Sequence, residues 1–224
     1  MLTRHQYERL RELVSPYMTE DKYGLHTICS IYFDTDDDRL IRNSIEKPLY
    51  KEKLRLRSYG VPENDDSEVF LELKKKYKGI VYKRRESLTL SAAESYIQNG
   101  LFPADSQIFR EIDYFRSYYG AYPKIFIAYD RIAMAGTRDT SLRMTFDFGI
   151  RCRRDELDLS AGDHGIELLS SGSVLLEIKI LSAMPLWLSS SLSQLKLYPV
   201  SFSKYGQFYT KELKGEFKLC SPIC

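Results

Sequence analysis

Three consecutive segments alternate charged with apolar side chains: YKEKLRLRSYG at residues 50–60, VFLELKKK at residues 69–76 and IVYKRRESLTL at residues 80–90. Successive side chains of a β-strand point to opposite faces of a sheet, so this alternation predicts three strands, each with one basic and one apolar face. The short segments between them, VPENDD and YKG, suit hairpin connections. The sequence therefore predicts an antiparallel sheet.

Further strand and helix patterns surround this region. Residues 26–33, HTICSIYF, are rich in β-branched and aromatic types, and alternation returns in KIFIAYDRIAM (124–134), SLRMTFDFGI (141–150) and SVLLEIKI (173–180). Helical spacing and capping patterns predict helices up to about residue 18 and at residues 39–45, 91–99, 103–119, 185–195 and 203–213. This mixture predicts an α+β fold with helices against the apolar face of the sheet.

The polar faces of the predicted strands gather lysine and arginine. They carry Lys51, Lys53, Arg55, Arg57, Lys74, Lys76, Lys83, Arg85, Arg131, Arg143 and Lys179, together with Glu72, Tyr129, Asp147 and Glu177. A sheet with one face in water is the commonest meaning of such alternation. Like charges on facing positions destabilise a sheet, however, unless something neutralises them. A closed barrel with a polar interior that holds a polyanion meets this requirement, and we expect one here.

Composition limits the other possibilities. The 224 residues carry a formal net charge of +2, which fits a single domain over residues 1–224. Cys29, Cys152, Cys220 and Cys224 form no CxxC pair, and the N-terminus lacks the apolar run of a signal peptide, so we expect a cytoplasmic setting. No stretch approaches the roughly 20 consecutive apolar residues of a membrane-spanning helix, so membrane association would require a partner protein. Nothing in the sequence indicates the oligomeric state.

Seven motifs, in this order, resemble the VTC domain of polyphosphate polymerases, a family of the triphosphate tunnel metalloenzymes. They are SIYFDT (30–35), KLRLRSYG (53–60), FLELKK (70–75), FIAYDRIA (126–133), LRMTFDFGIR (142–151), LLEIKI (175–180) and SFSKYG (201–206). The resemblance implies an eight-stranded closed tunnel flanked by helices, in which the triphosphate of ATP lies among lysine and arginine side chains. It also implies Mn²⁺ or Mg²⁺ as cofactor and transfer of the γ-phosphate to a growing polyphosphate chain.

Carried over by matching motif, the resemblance implies roles for individual residues. The catalytic phosphate contacts would be Arg55, Arg57, Lys74, Arg131 and Lys204, and Glu177 would be the metal ligand. Further phosphate-binding candidates are Lys53, Lys83, Arg85, Arg143, Lys179, Ser203 and Tyr129, and Glu72 and Asp147 are further candidate metal ligands. Tunnel enzymes usually begin with a strand of alternating Glu and Lys or Arg, whereas this sequence starts almost directly with a helix. The barrel is therefore expected to lack its first strand.

Four functions remain open at this point. The first is an ATP-dependent polyphosphate polymerase, and the second is a triphosphate hydrolase on the same fold. The third is a non-catalytic module that binds polyphosphate or triphosphate. Nucleic-acid binding is disfavoured, because the charges lie on one face without the aromatic platform of RNA-binding sheets, so nucleic acid is not expected as a partner. The sequence contains no Walker A loop, kinase signature or nucleophile elbow.

Overall fold

The computed structural model describes residues 1–101, 105–181 and 183–216. Its elements are α1 (Arg4–Val14), β1 (Met18–Glu20), β2 (His26–Asp34), α2 (Arg39–Ile45), β3 (Tyr50–Tyr59), β4 (Glu68–Tyr77), β5 (Ile80–Thr89), α3 (Leu90–Asn99), α4 (Gln107–Tyr119), β6 (Tyr122–Gly136), β7 (Arg143–Arg153), β8 (Ile166–Glu167), β9 (Leu175–Lys179), α5 (Leu186–Gln194) and α6 (Lys204–Leu213). The α+β class is confirmed. Cys220, Cys224 and the expected start of a helix at residue 103 lie outside the described residues.

The strands form one antiparallel sheet in the order β5-β4-β3-β2-β6-β7-β8, with β1 paired to β6 and β9 paired to β7. The register sets the basic rows side by side. Lys53 lies opposite Lys74, which lies opposite Lys83, while Arg55 lies opposite Glu72, which lies opposite Arg85. The alternation in the sequence therefore identified the strands and their faces correctly, and residues 50–90 form a three-stranded meander as predicted.

Closure of the sheet into an eight-stranded barrel is not supported. The sheet has nine strands, and over the described residues no ladder connects the free edge of β5 with β8 or β9. A barrel requires its first and last strands to pair, whereas the five-residue strand β9 pairs, within the part of the chain that the structure describes, only with residues 143–147 of β7. Over the described residues the strands thus form an open sheet with one strongly basic face, and helices cover parts of it.

Two apolar clusters cover the outer, apolar face of the sheet. Helices α3 and α4 contribute Tyr96, Phe109 and Phe115 to a cluster with the leucines of β3 and β4. Helices α1 and α5 pack in the same way against β6 and β7, where Leu10 and Leu188 are fully buried. Burial of these side chains is the main stabilising contribution to the fold, and it fixes which face of each strand is left for charged groups.

A third cluster lies on the opposite, basic side of the sheet. Helices α2 and α6 pack there against β2, β6 and β7, and the cluster includes Ile41, Phe208 and Tyr129. Because Tyr129 and Arg131 share one face of β6, α6 covers the same face that carries the basic rows. The helices therefore leave a partly enclosed basic chamber between β3, β4, β5 and the N-terminal end of α6.

Candidate anion-binding site

The centre of the chamber is a buried carboxylate surrounded by cations. Glu72 is 1% exposed. It accepts hydrogen bonds from Arg55 Nε at 2.6 Å and Arg85 Nε at 2.7 Å, and its Oε1 lies 2.6 Å from Lys83 Nζ. Burial raises the pKa of Glu72, but the charges of Arg55, Arg57 and Lys83 outweigh it and lower this pKa to about 2. Glu72 is therefore an anion that holds the surrounding cations in place.

The two arginines of β3 have further partners that fix their orientation. Arg57 donates from Nε to Ser30 Oγ and from Nη2 to the Tyr129 hydroxyl, both at 3.1 Å, and Arg55 donates to the Tyr32 hydroxyl at 3.1 Å. Planar guanidinium groups held in this way are preorganised for bidentate contact with phosphate. Ser30 and Tyr32 did not stand out in the sequence, although their alternation with Ile31 and Phe33 places them on the basic face.

A second buried carboxylate links β6, β7 and α6. Asp147 is 1% exposed and accepts from Arg131 Nε at 2.6 Å and Nη2 at 2.8 Å, and from Lys204 Nζ at 2.6 Å. Burial raises the pKa of Asp147, yet its hydrogen bonds to Arg131 and the charge of Lys204 lower it overall. Lys204 also lies 4.1 Å from the ring centroid of Tyr129. Asp147 thus brings Arg131 and Lys204 together, and their roles as phosphate contacts stay predictions.

Helix α6 brings Ser203 and Lys204 into the chamber, and a buried network fixes its position. Asp34 is fully buried and accepts from the backbone N–H groups of Leu40 at 2.8 Å and Ile41 at 3.0 Å, and from the Tyr205 hydroxyl at 3.0 Å. One carboxylate therefore holds both the start of α2 and the start of α6. Ser203 caps α6 and its Oγ accepts from Lys53 Nζ at 3.2 Å.

The surroundings of two lysines in the basic rows destabilise the charged form of their side chains. The pKa of Lys53 is lowered by burial and by the charges of Lys51, Lys74 and Arg55. The pKa of Lys74 is lowered by burial and by Arg55 and Lys179, against which Glu177 acts in the opposite direction. A bound anion would reverse both shifts by compensating this repulsion. In the basic rows, cationic side chains outnumber the carboxylates that neutralise them, so the chamber has an excess of positive charge.

Glu177, the predicted metal ligand, lies on the opposite wall, on β9. Its side chain is 51% exposed, and Oε1 lies 3.5 Å from Lys179 Nζ. In the register it faces Thr145, whose Oγ1 is buried with no hydrogen-bond partner among the described residues. A carboxylate and an unpaired hydroxyl are oxygen ligands of the kind that Mg²⁺ and Mn²⁺ prefer. Glu177 is therefore an accessible oxygen ligand for a divalent ion whose remaining ligands would come from phosphate and water.

The other metal-ligand and phosphate candidates lie in different surroundings. Glu72 and Asp147 are both occupied by ion pairs, and their roles as metal ligands stay predictions. Arg143 lies opposite Lys179, four residues before Asp147 on β7 and so about 13 Å from it along the strand. Within the described ranges no group of three or more His, Cys, Asp or Glu side chains is placed to hold a metal ion. A divalent ion here would thus depend on the phosphates it accompanies.

Not every basic residue of the three-stranded meander faces the chamber. Lys75 Nζ lies 3.5 Å from Glu111 on α4, and Arg84 Nε lies 3.5 Å from the same carboxylate. These side chains point to the outer face, as their position in the alternation predicted. They provide matched controls for the residues of the chamber.

None of the helices within the described part of the chain has the length and apolar content needed to cross a membrane.

Comparison with protein families gives the site its context. The model of the VTC domain matches residues 1–212, which is nearly the whole chain. The chain belongs to the VTC domain family. The resemblance noted from its motifs is thereby confirmed, and it supports a triphosphate tunnel fold related to polyphosphate. No curated protein sequence matches this VTC chain.

A solved structure from a bacterium agrees with this fold at low sequence identity. The VTC chain is similar to the crystal structure of a provisionally assigned adenylate cyclase from Bacillus halodurans, with a TM-score of 0.55 and 13% identity over 91% of this chain and 90% of that one. A second provisionally assigned adenylate cyclase, from Vibrio parahaemolyticus, gives a TM-score of 0.39 and 10% identity over 84% of this chain and 78% of that one. The first similarity supports the fold alone, and the second is too weak to compare folds.

Proposed function

We propose that this VTC domain is an ATP-dependent polyphosphate polymerase that transfers the γ-phosphate of ATP to a growing polyphosphate chain. The observation that carries the proposal is the excess of positive charge in a chamber whose arginines are already oriented by Glu72 and Asp147. Such a chamber suits a linear polyanion, because successive phosphates can bind successive cations. Membership of the VTC family points to polyphosphate as that polyanion.

The geometry suits phosphoryl transfer because this reaction depends mainly on alignment and on charge stabilisation. Arg55, Arg57 and Arg131 offer planar donors that fix the orientation of the phosphates. Lys53, Lys74 and Lys204 add compact charges where negative charge develops. Glu177, beside Thr145, would hold Mn²⁺ or Mg²⁺, which when bound neutralises phosphate oxygens and draws charge from the leaving group. Glu72 and Asp147 would keep these arginines in orientation when phosphates bind.

Product analysis tests the proposal. Purified protein is incubated with ATP and Mn²⁺ or Mg²⁺, and the products are separated by gel electrophoresis and by nucleotide chromatography. We expect ADP together with phosphate chains that lengthen with time, and Arg84→Leu should retain this activity. Release of orthophosphate without phosphate chains would contradict the polymerase and indicate a triphosphate hydrolase instead. Consumption of no ATP would leave catalysis unsupported.

A polyphosphate-binding module without catalysis is the second candidate. The observation in its favour is that Glu72 and Asp147 are committed to ion pairs, which leaves Glu177 as the exposed carboxylate in the chamber among the described residues. If the protein is such a module, calorimetry should show tight binding of polyphosphate and the ATP assay should show no turnover. If it is a polymerase, both binding and turnover should be observed, so the two measurements together separate the candidates.

Removal of the Glu177 charge is expected to change the effect of Mn²⁺ on stability more than it changes the binding of tripolyphosphate without metal. Glu177→Gln keeps the shape of the side chain and removes its charge. In a thermal-shift series, tripolyphosphate alone should stabilise Glu177→Gln at least as much as wild type, because the lost charge faces Lys74. The additional stabilisation that Mn²⁺ brings should be lost in the variant. Glu167→Gln on β8 is the control and should keep it, and equal Mn²⁺ effects in all three proteins would place the metal elsewhere.

The affinity for phosphate is expected to fall at alkaline pH through Tyr32. Burial raises the pKa of Tyr32, but Arg55, Arg57 and Lys204 outweigh it and lower this pKa to about 8. Below that pH the phenol is neutral, and above it a tyrosinate competes with phosphate for the same cations. Titration of ATP without metal from pH 7 to pH 9 should show a steeper loss of affinity in wild type than in Tyr32→Phe. Parallel profiles would contradict this assignment.

A further inference from the structure

The basic row of β3 ends in an aromatic pair. Tyr59 follows Arg55 and Arg57 on the same face of the strand, and the residue is 51% exposed. It lies against Phe70 of β4 with ring centroids 5.6 Å apart in an edge arrangement. Phe70 is the register partner of Arg57, so the aromatic pair directly adjoins the phosphate-binding cations. An exposed, fixed ring at the end of a cationic row is a surface on which a planar group can stack.

Arg85 connects this aromatic pair to the buried cluster. Its guanidinium lies 4.2 Å from the ring centroid of Phe70, and its Nη2 donates to the Tyr59 hydroxyl at 2.8 Å. The same side chain donates to Glu72 at 2.7 Å. Tyr59 is therefore held in one orientation by a residue that is itself fixed in the chamber. A ring ordered in advance loses little conformational freedom when a ligand stacks on it.

A groove opens beside the pair, with a volume of about 320 Å³. It is lined by Tyr59, Gly60, Pro62, Glu63, Glu68 and Phe70. Its size falls within the range of small-molecule sites, which begins at about 300 Å³. The two carboxylates repel phosphate and accept hydrogen bonds from amino groups. The groove thus suits a flat, uncharged group with N–H donors, next to a row that suits phosphates.

We propose that this groove, formed at the end of β3, binds the base of a nucleoside triphosphate whose phosphates lie along Arg57 and Arg55. The inference rests on the proposed function for the position of the phosphates and adds a site for the rest of the nucleotide. Tyr59 lies two residues beyond Arg57 and four beyond Arg55, hence about 7 Å and about 13 Å along the strand. This separation accommodates the ribose between a stacked base and a bound triphosphate. The site would distinguish ATP as donor from polyphosphate as acceptor.

Two ligands and three variants test the inference. Calorimetry compares ATP with inorganic tripolyphosphate, which has the same number of phosphates and no base. Stacking on an aromatic side chain is strong enough that Tyr59→Leu should weaken ATP binding about tenfold. Tripolyphosphate binding should stay within about twofold of wild type. Tyr59→Phe keeps the ring and its contact with Phe70 but loses the bond to Arg85, so it should bind ATP more tightly than Tyr59→Leu does.

The control is Tyr82→Leu on β5. Tyr82 is 53% exposed, nearly the same as Tyr59, but its register partner is Lys75, which points to the outer face. This variant should bind both ligands like wild type. An unchanged ATP affinity in Tyr59→Leu, or an equal loss for both ligands, would overturn the base site and leave the phosphate site standing. If wild type bound neither ligand, the proposed function would fail together with this inference.

Discussion

Glu72→Gln is expected to lower the free energy of unfolding by about 3 kcal/mol, because removal of one partner from a buried ion pair leaves uncompensated charge. The substitution keeps the size of the side chain but leaves Arg55, Lys83 and Arg85 without their shared counter-ion. Urea denaturation at low ionic strength measures the loss. Saturating tripolyphosphate should restore much of it, because phosphates can take the place of the missing carboxylate. The variant should also bind this ligand at least as tightly as wild type.

The pH dependence of this effect has a defined sign. The pKa of Glu72 is lowered from its ordinary value of 4.5 to about 2. A carboxyl group with a depressed pKa stabilises the fold above its unfolded pKa, and this contribution is lost as the pH falls towards the folded value. The difference between wild type and Glu72→Gln should therefore narrow between pH 4.5 and pH 2. A difference that stays constant over this range would show that charge is not its cause.

Glu111→Gln provides the control for Glu72→Gln. Glu111 also contacts two cations, Lys75 and Arg84, but on the outer face of the sheet and partly in water. Such pairs contribute at most about 1 kcal/mol. A similar loss of stability in both variants, or a loss in Glu72→Gln that tripolyphosphate does not restore, would contradict the role of Glu72 as the counter-ion of an anion site.

Arg55→Leu is expected to weaken tripolyphosphate binding by roughly tenfold to a hundredfold, since a hydrogen bond to a charged group contributes about 1.5–3 kcal/mol. Leucine suits a strand, and loss of this cation relieves repulsion on Lys53 and Lys74, so the fold should persist. Calorimetry gives the affinity and thermal denaturation verifies the fold.

Arg84→Leu is the matched comparison for Arg55→Leu. It removes an arginine from the same three-stranded meander, but one that faces α4 rather than the chamber. Its affinity for tripolyphosphate should equal that of wild type at moderate ionic strength. If both variants weakened binding equally, the effect would come from net charge and the chamber would not be the binding site.

The sequence predicted which face of each strand is basic because side chains alternate with a period of two, so the face of each residue follows from its position in the strand. It separated Arg55 and Arg85, which face the chamber, from Lys75 and Arg84, which do not. It could not predict that Glu72 serves as the shared counter-ion of Arg55 and Arg85. That contact depends on the register of three strands, which the side-chain pattern of one strand does not contain.

Closure of the sheet illustrates a second limit. The faces of the longer strands follow from local patterns, whereas the short strands β1 and β8 were not predicted, and closure depends on whether two distant edges meet. Here β5 and β9 keep separate edges over the described residues. The expectation of a closed barrel came from the like charges on the strand faces, and its eight strands came from the family resemblance, but neither determines whether the two edges meet. Ser30 and Tyr32 were missed for a different reason, since an uncharged hydroxyl on a strand is usually a packing residue.

Attachment of α6 through Asp34 and Tyr205 affects when the chamber can be completed during synthesis of the chain. Lys53 and Ser203 are hydrogen-bonded although 150 residues separate them in the sequence. This contact of the chamber can therefore form only after Ser203 has left the ribosome. Until then the nascent strands hold their lysines and arginines without Lys204 or the helix that covers them. The contact of Lys204 with Asp147 is thus among the last that synthesis of the chain allows to form.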